Sequence, residues 1–230
     1  MGRAPRAAEG GLIYHVWNRA NGRIALFGDP PDYQAFDRIL SQAVRAQEMR
    51  LLAYCVMPNH WHLLLWPAHD GDLSRFVRWV TLTHTQRWHA HRRTAGSGHL
   101  YQGRFKSSPV QSDEHFLTVC RYVERNALRA NLVARAEDWP WGSLSLGSAL
   151  SATRPTQAAW PIERPPDWLD RVNRPHSPTE EEALRRALVR GQAYGDPEWR
   201  ALATARLGLE STLRPRGRPR KTRNEGNIGS

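Results

Sequence analysis

Apolar positions along the chain fall into alternating short and long rhythms. Leu12 to Trp17 is a short apolar run between glycines and the Asn18–Gly22 segment, so it predicts a strand followed by a turn. Residues 31–48 space Tyr33, Phe36, Ile39, Leu40 and Val44 at helical intervals. LLAYCVMPNHWHLLLWP then holds two apolar runs separated by Pro58 and Asn59, the pattern of two neighbouring strands. Asp72 is suited to cap a second helix with Leu73, Phe76, Val77 and Val80 as its buried stripe. A glycine break at 96–98 leads through LYQGRFKSSPVQS into a fourth strand. Ser112 or Asp113 caps a third helix running to about Arg129.

Strand, helix, strand, strand, helix, strand, helix is the order of an α+β fold. Its first six elements make a ferredoxin-like split β-α-β-β-α-β core, one antiparallel sheet with helices on one face, and the last helix is an addition to it. The core is expected to occupy residues 1–147. Residues 148–178 follow as a proline-rich linker or wrapped extension, with six prolines between 151 and 178. Residues 179–210 predict two short helices, the first capped by Thr179 with Glu182, the second opened by Asp196 and Pro197. The second carries Trp199, Leu202 and Leu207 and stops at Gly208. The pair reads equally as a helix-turn-helix or as a hairpin packed on the main domain. Residues 211–230 form a basic tail.

Charge changes the picture next. Lys and Arg number 33 against 22 Asp and Glu, a net +11. That excess points to a polyanionic partner, nucleic acid first, without separating DNA from RNA. Two cysteines, Cys55 and Cys120, make no disulfide framework and lie in apolar stretches, which fits buried thiols in a reducing compartment. No secretory pattern and no apolar run of roughly 20 residues is visible, so a soluble, cytoplasmic, nucleoid-associated protein without membrane contact is expected.

Two local signals carry chemistry. On a strand, His60 and His62 point to the same face, about 6.6 Å apart along the chain, so both imidazoles can converge on one cation. His-X-His alone is more often a pair of exposed or hydrogen-bonded histidines than a metal site. In SDEHFLTVCRYVERNALRANLV, Phe116, Cys120, Val123 and Ala127 make one narrow core stripe. Tyr122 lies about 120° from that stripe with Asn126 one turn further on, which aims its hydroxyl at a polar flank. Arg104, Lys106, Arg121, Arg125 and Arg129 gather in sequence around these residues and are expected to hold phosphates. Among ten tryptophans, Trp61 and Trp79 read as core and others as platforms for unpaired bases. Between 214 and 223 lie six basic residues and no acid. Arg216, Arg218 and Arg220, around Gly217, fit either an AT-hook-like minor-groove segment or a basic tail with non-specific phosphate affinity.

YHVWNR, YCVMPNHWHLLLWP, GHLYQGRFK, RYVERNALRANLV and DWPWGSL, in this order, resemble the REP-associated tyrosine transposases, IS200-like single-tyrosine HUH enzymes. The resemblance spans roughly residues 10–146, and GRPRK at 217–221 also occurs in that group. It implies that His60 and His62 are metal ligands, that Asn126 completes the site, and that Tyr122 is the nucleophile. It further implies a metal-dependent single-stranded DNA endonuclease and strand transferase that cuts near hairpin-forming repetitive palindromes through a 5′-phosphotyrosine. The alternative is a domesticated hairpin-binding protein that does not cut. Mixed imidazole and amide ligands suit Mg²⁺ or Mn²⁺. Mobile-element relatives act as dimers and REP-associated ones alone, so a monomer is expected. The family usually has Pro after the asparagine and Gly later, where this chain has Ala127 and Asn131; alanine continues the helix, and asparagine tolerates a left-handed cap.

Overall fold

The computed structural model describes residues 8–145 and 153–214. Four strands, β1 (Ile13–Arg19), β2 (Arg50–Met57), β3 (His60–Trp66) and β4 (Lys106–Val110), form one antiparallel sheet in the order β2-β3-β1-β4. Helix α1 (Pro30–Ala46) joins β1 to β2, and α2 (Asp72–Arg92) joins β3 to β4. This is the split arrangement that the pattern predicts, with central strands β3 and β1 running side by side.

Alternation along the strands sorts the side chains into two cores. Tyr14, Val16, Tyr54, Val56, Trp61, Leu63 and Leu65 pack against Phe36, Leu40, Phe76 and Val80 of α1 and α2. Ile13, Ala53, Cys55, Met57 and Leu64 face the other way, towards helix α3 (Glu114–Glu124). The core's two helices thus share one face, as expected, and the added helix α3 covers the other. The second layer exists because β2 and β3 are apolar on both sides, Leu51 to Met57 all being buried. Such two-sided strands require a cover on each face.

The second cover also comes from the region after residue 147. Helix α5 (Trp168–Asn173) buries Trp168 and Val172, and α6 (Pro178–Arg190) buries Leu184, Ala187 and Leu188. The proline-rich stretch is bonded to the sheet from residue 158: Ala158 N–H donates to Leu51 O at 2.8 Å and Trp160 Nε1 to Leu52 O at 3.0 Å. Beside it, Val56 N–H donates to Trp141 O at 2.8 Å. At the opposite edge, Tyr194 N–H donates to Pro109 O and Gln111 N–H returns to Tyr194 O. Both outer strands thus spend their edge hydrogen bonds on the chain's own later segments, which would otherwise template pairing with another chain.

Several local expectations change. The capping box of α6 is Ser177 with Glu180, not Thr179 with Glu182, because Pro178 takes the first helical position, where its missing N–H costs nothing. Gly71 caps α2 in a left-handed conformation, and Asp72 turns back to accept from His69 N–H. Trp79 is 37% exposed, unlike Trp61, which is fully buried and donates to Tyr101 Oη at 3.0 Å. Helix α7 (Pro197–Arg206) buries only Ala203 and leaves Leu202 exposed, so its apolar positions are not a core stripe. A last short helix, α8 (Glu210–Leu213), follows. Asn131 takes a left-handed φ of 56°, a conformation asparagine tolerates. Among the described residues, no helix is long and apolar enough to cross a membrane.

Candidate active site

The β2–β3 hairpin presents His60 and His62 on the face that α3 covers. Their ring centroids lie 5.1 Å apart with planes at 83°, so the two imidazoles converge from neighbouring positions on one strand. Each ring is tied at Nδ1. His60 Nδ1 sits 2.7 Å from Asn59 Oδ1; an amide oxygen only accepts, so His60 carries its proton there and keeps the Nε2 lone pair. His62 Nδ1 sits 2.9 Å from Nε2 of His15, a buried residue of β1 on the same face. Trp17, two residues along β1, stacks on His62 at 6.1 Å and 14°.

Burial keeps all three rings neutral. It pulls His60 down to about 4, with the cations of Arg129 and Arg19 acting in the same direction. It takes His15 to about 3 and His62 well below the usual histidine range. Neutral imidazoles are the form that binds a metal.

Helix α3 starts at Asp113, whose carboxylate accepts from His115 N–H at 2.8 Å, and it buries the predicted stripe of Phe116, Cys120 and Val123. Tyr122 is buried as well, at 4% exposure, where the helical wheel places it on an open flank. The flank is closed because α6 and the segment before it pack there. The ring stands edge-on to His15 at 5.8 Å, to His62 at 6.0 Å and to His176 at 6.1 Å. Burial raises the phenol above its usual range, and the charge of Arg129 opposes that shift.

The helix breaks at Arg125 and resumes as α4 (Asn126–Arg129). Asn126, 1% exposed, sets its side chain near enough to His60 to act on its ring, and its Oδ1 accepts from Arg129 at 3.1 Å. His60, His62 and Asn126 are thus close neighbours, two nitrogens and an amide without a carboxylate. Among the described residues, no cluster of three or more His, Cys, Asp or Glu suits a metal ion. A divalent cation here would rely on this neutral set and on the charge of its substrate.

The candidate phosphate-holding residues divide. Arg121 meets His176 at 3.1 Å and Glu180 at 3.4 Å, and Arg129 meets Glu181 at 2.7 Å. Arg125 keeps its Nε buried without a hydrogen-bond partner. These three lie on the α3 side. Arg104 and Lys106 line a groove of about 410 Å³ with Asn18, Gln102 and Trp17, the ring that stacks on His62. Arg216, Arg218 and Arg220 lie outside the described residues. His15, Trp17 and His176 were not singled out from the sequence. His15 and Trp17 had a signal: two large polar-edged rings at alternate positions of an otherwise apolar strand share one face. His176 had none, sitting in a stretch without periodicity.

Comparisons with known proteins bear on this geometry. The family model described as "Transposase IS200 like" matches residues 9–126. One similar solved structure is that of a REP-associated tyrosine transposase bound to a REP hairpin, with 21% identity and a TM-score of 0.50 over 69% of this chain and 92% of that one. Another is a putative transposase from Deinococcus radiodurans R1, with 19% identity and a TM-score of 0.37 over 57% of this chain and 95% of that one. No curated protein matches the chain.

Proposed function

The chain belongs to the IS200-like transposase family, which makes it a DNA-cleaving enzyme, and on that premise we propose that it cuts and rejoins single-stranded DNA beside hairpins, with Tyr122 as nucleophile. The observation that carries this reading is the packing of Tyr122 edge-on to His62, with Arg129 over the Tyr122 ring and bonded to Asn126 one turn later. Nucleophile and candidate metal ligands come from two separate elements, α3–α4 and β3, and meet on one sheet face. The hairpin as target is supported by the structural relative, which was seen bound to a REP hairpin.

A phosphodiester resists attack because its own charge repels nucleophiles. A divalent cation, Mn²⁺ or Mg²⁺, bound by His60, His62 and Asn126 would polarise the scissile phosphate and offset that charge. The chain's residues do the rest. Tyr122 loses its hydroxyl proton as its oxygen bonds phosphorus; the bond from phosphorus to O3′ breaks, and O3′ takes up a proton to leave a 3′-hydroxyl. The product is a 5′-phosphotyrosyl link, which stores the bond for rejoining without a further energy source. Burial around Tyr122 keeps its phenol protonated in the free chain, while Arg129 eases ionisation. Arg104 and Lys106 are positioned to hold phosphates of a strand passing over Trp17.

Incubating the protein with a labelled single-stranded hairpin DNA and Mn²⁺ tests this reading. A denaturant-resistant protein–DNA band is expected. Tight hairpin binding without such a band would favour a binding protein that does not cut.

A further inference from the structure

A histidine that binds a metal must offer one nitrogen and hold the ring still, and the ring is held by whatever bonds the other nitrogen. His60 has Asn59 for this, a neighbour on the hairpin turn. His62 sits mid-strand and has His15, 47 residues away on β1. The antiparallel register sets Trp17 directly opposite His62 and His15 opposite Leu64, so His15 reaches His62 on the diagonal across the two central strands.

His15 is costly where it stands. It is 3% exposed, in the face that Ile13 begins with a plain apolar side chain. A polar ring buried there without a partner would destabilise the fold, and a second apolar residue would pack without that penalty. Its hydrogen bond goes to His62, and its ring edge meets Tyr122. It therefore touches a candidate metal ligand and the candidate nucleophile together.

We propose that His15 is a positioning residue for cleavage: its Nε2 accepts the Nδ1–H of His62, which leaves His62 Nε2 as the metal-binding atom and fixes the ring that Tyr122 packs against. With His60 tied through Asn59 in the same sense, both rings present the same nitrogen. This inference rests on His60 and His62 being metal ligands and adds the device that selects the tautomer of the second.

Two measurements test it. ¹⁵N NMR of the metal-free wild-type protein reads the protonated nitrogen of His62 directly; a proton on Nδ1 is expected, and a proton on Nε2 would overturn the proposal. Calorimetry with Mn²⁺ and no DNA then compares variants. His15→Ala is expected to weaken Mn²⁺ binding by about 10- to 100-fold. His15→Gln, whose amide oxygen can accept the same bond, is expected to recover most of that loss, which a merely space-filling role would not produce. Wild-type Mn²⁺ affinity in a folded His15→Ala protein, alongside a loss in His62→Ala, would sink the role of His15 alone. Unchanged affinity in His62→Ala would sink the metal-site reading beneath it. Should His15→Ala not fold, the NMR measurement on the wild type still decides.

Discussion

The guanidinium of Arg129 lies over the ring of Tyr122, 4.9 Å from its centroid, and the same side chain bonds both Asn126 and Glu181. One cation thus borders the candidate nucleophile and a candidate metal ligand. Arg129→Ala is expected to slow covalent adduct formation by on the order of 100-fold, the scale of losing one preorganised charge at a reacting centre. Thermal stability should change by less than about 1 kcal/mol, since the Arg129–Glu181 pair is partly solvated. Adduct formation at the wild-type rate would remove Arg129 from the mechanism.

Tyr122→Phe should abolish the protein–DNA link and leave hairpin affinity within a few fold. The change deletes one hydroxyl and keeps the ring that packs on His15 and His62. A surviving covalent band in the variant, measured under the same Mn²⁺ conditions, would assign the nucleophile elsewhere.

Glu124 makes stability depend on pH. It is fully enclosed, accepting from Trp168 Nε1 at 2.8 Å and Ser143 Oγ at 2.7 Å, and burial pushes it up to about 7 despite those bonds. The folded chain therefore holds a proton that the unfolded chain releases near the ordinary glutamate value of 4.5. Stability is fully present below that value and is lost as pH rises towards 7, by about 3 kcal/mol. Asp37, buried and pushed up to about 7 by the same cause, adds a slope of the same sign. Glu124→Gln keeps an acceptor for Trp168 and should flatten the decline between pH 5 and 8 in denaturant titrations. An unchanged slope in the variant would mean that Glu124 is ionised in the fold.

Two truncations should behave oppositely. Ending the chain at residue 177 removes α6, with Leu184, Ala187 and Leu188, and the Tyr194 bridge along β4. At roughly 1.5–3 kcal/mol for each of the two leucines, that loss takes a large share of the about 5–15 kcal/mol by which a domain is stable, so a large fall in Tm, or aggregation, is expected. Ending it at residue 214 removes five of the six basic residues between 214 and 223 and leaves every described element in place. That protein should keep its Tm and its cleavage. Its binding should lose salt dependence by up to about 3 to 4 units of slope, near 0.7 per cation on single strands. A Tm unchanged by the first cut, or a slope unchanged by the second, would contradict the respective claim.

How much of this was legible depended on the range of the interactions. The order of strands and helices along the chain and the shared face of His60 and His62 follow from periodicity within a few residues, so they could be read directly. The α3 stripe could be read for the same reason. Tyr122 could be placed on its helix but not in its surroundings, because its cover arrives from residues 176–185 and from Arg129. The second helical layer was hidden similarly: proline interrupts periodicity between 151 and 178, yet Trp160 and Trp168 pack there by individual contacts that no repeat announces. His15 shows the limit most clearly. Its partner is 47 residues away, and only the β1–β3 register brings them together.

That register has a consequence for folding fidelity. Side chains on a strand alternate strictly, so a slip of β1 by one residue against β3 would turn His15 and Trp17 into the layer of α1 and α2 and send Tyr14 and Val16 the other way. The slipped chain would bury polar rings among Phe36 and Phe76 and would leave His62 without its acceptor. Misalignment is thus penalised by the packing of both layers at once. The register that lets both layers pack is therefore also the one that brings His15 and Trp17 beside His62.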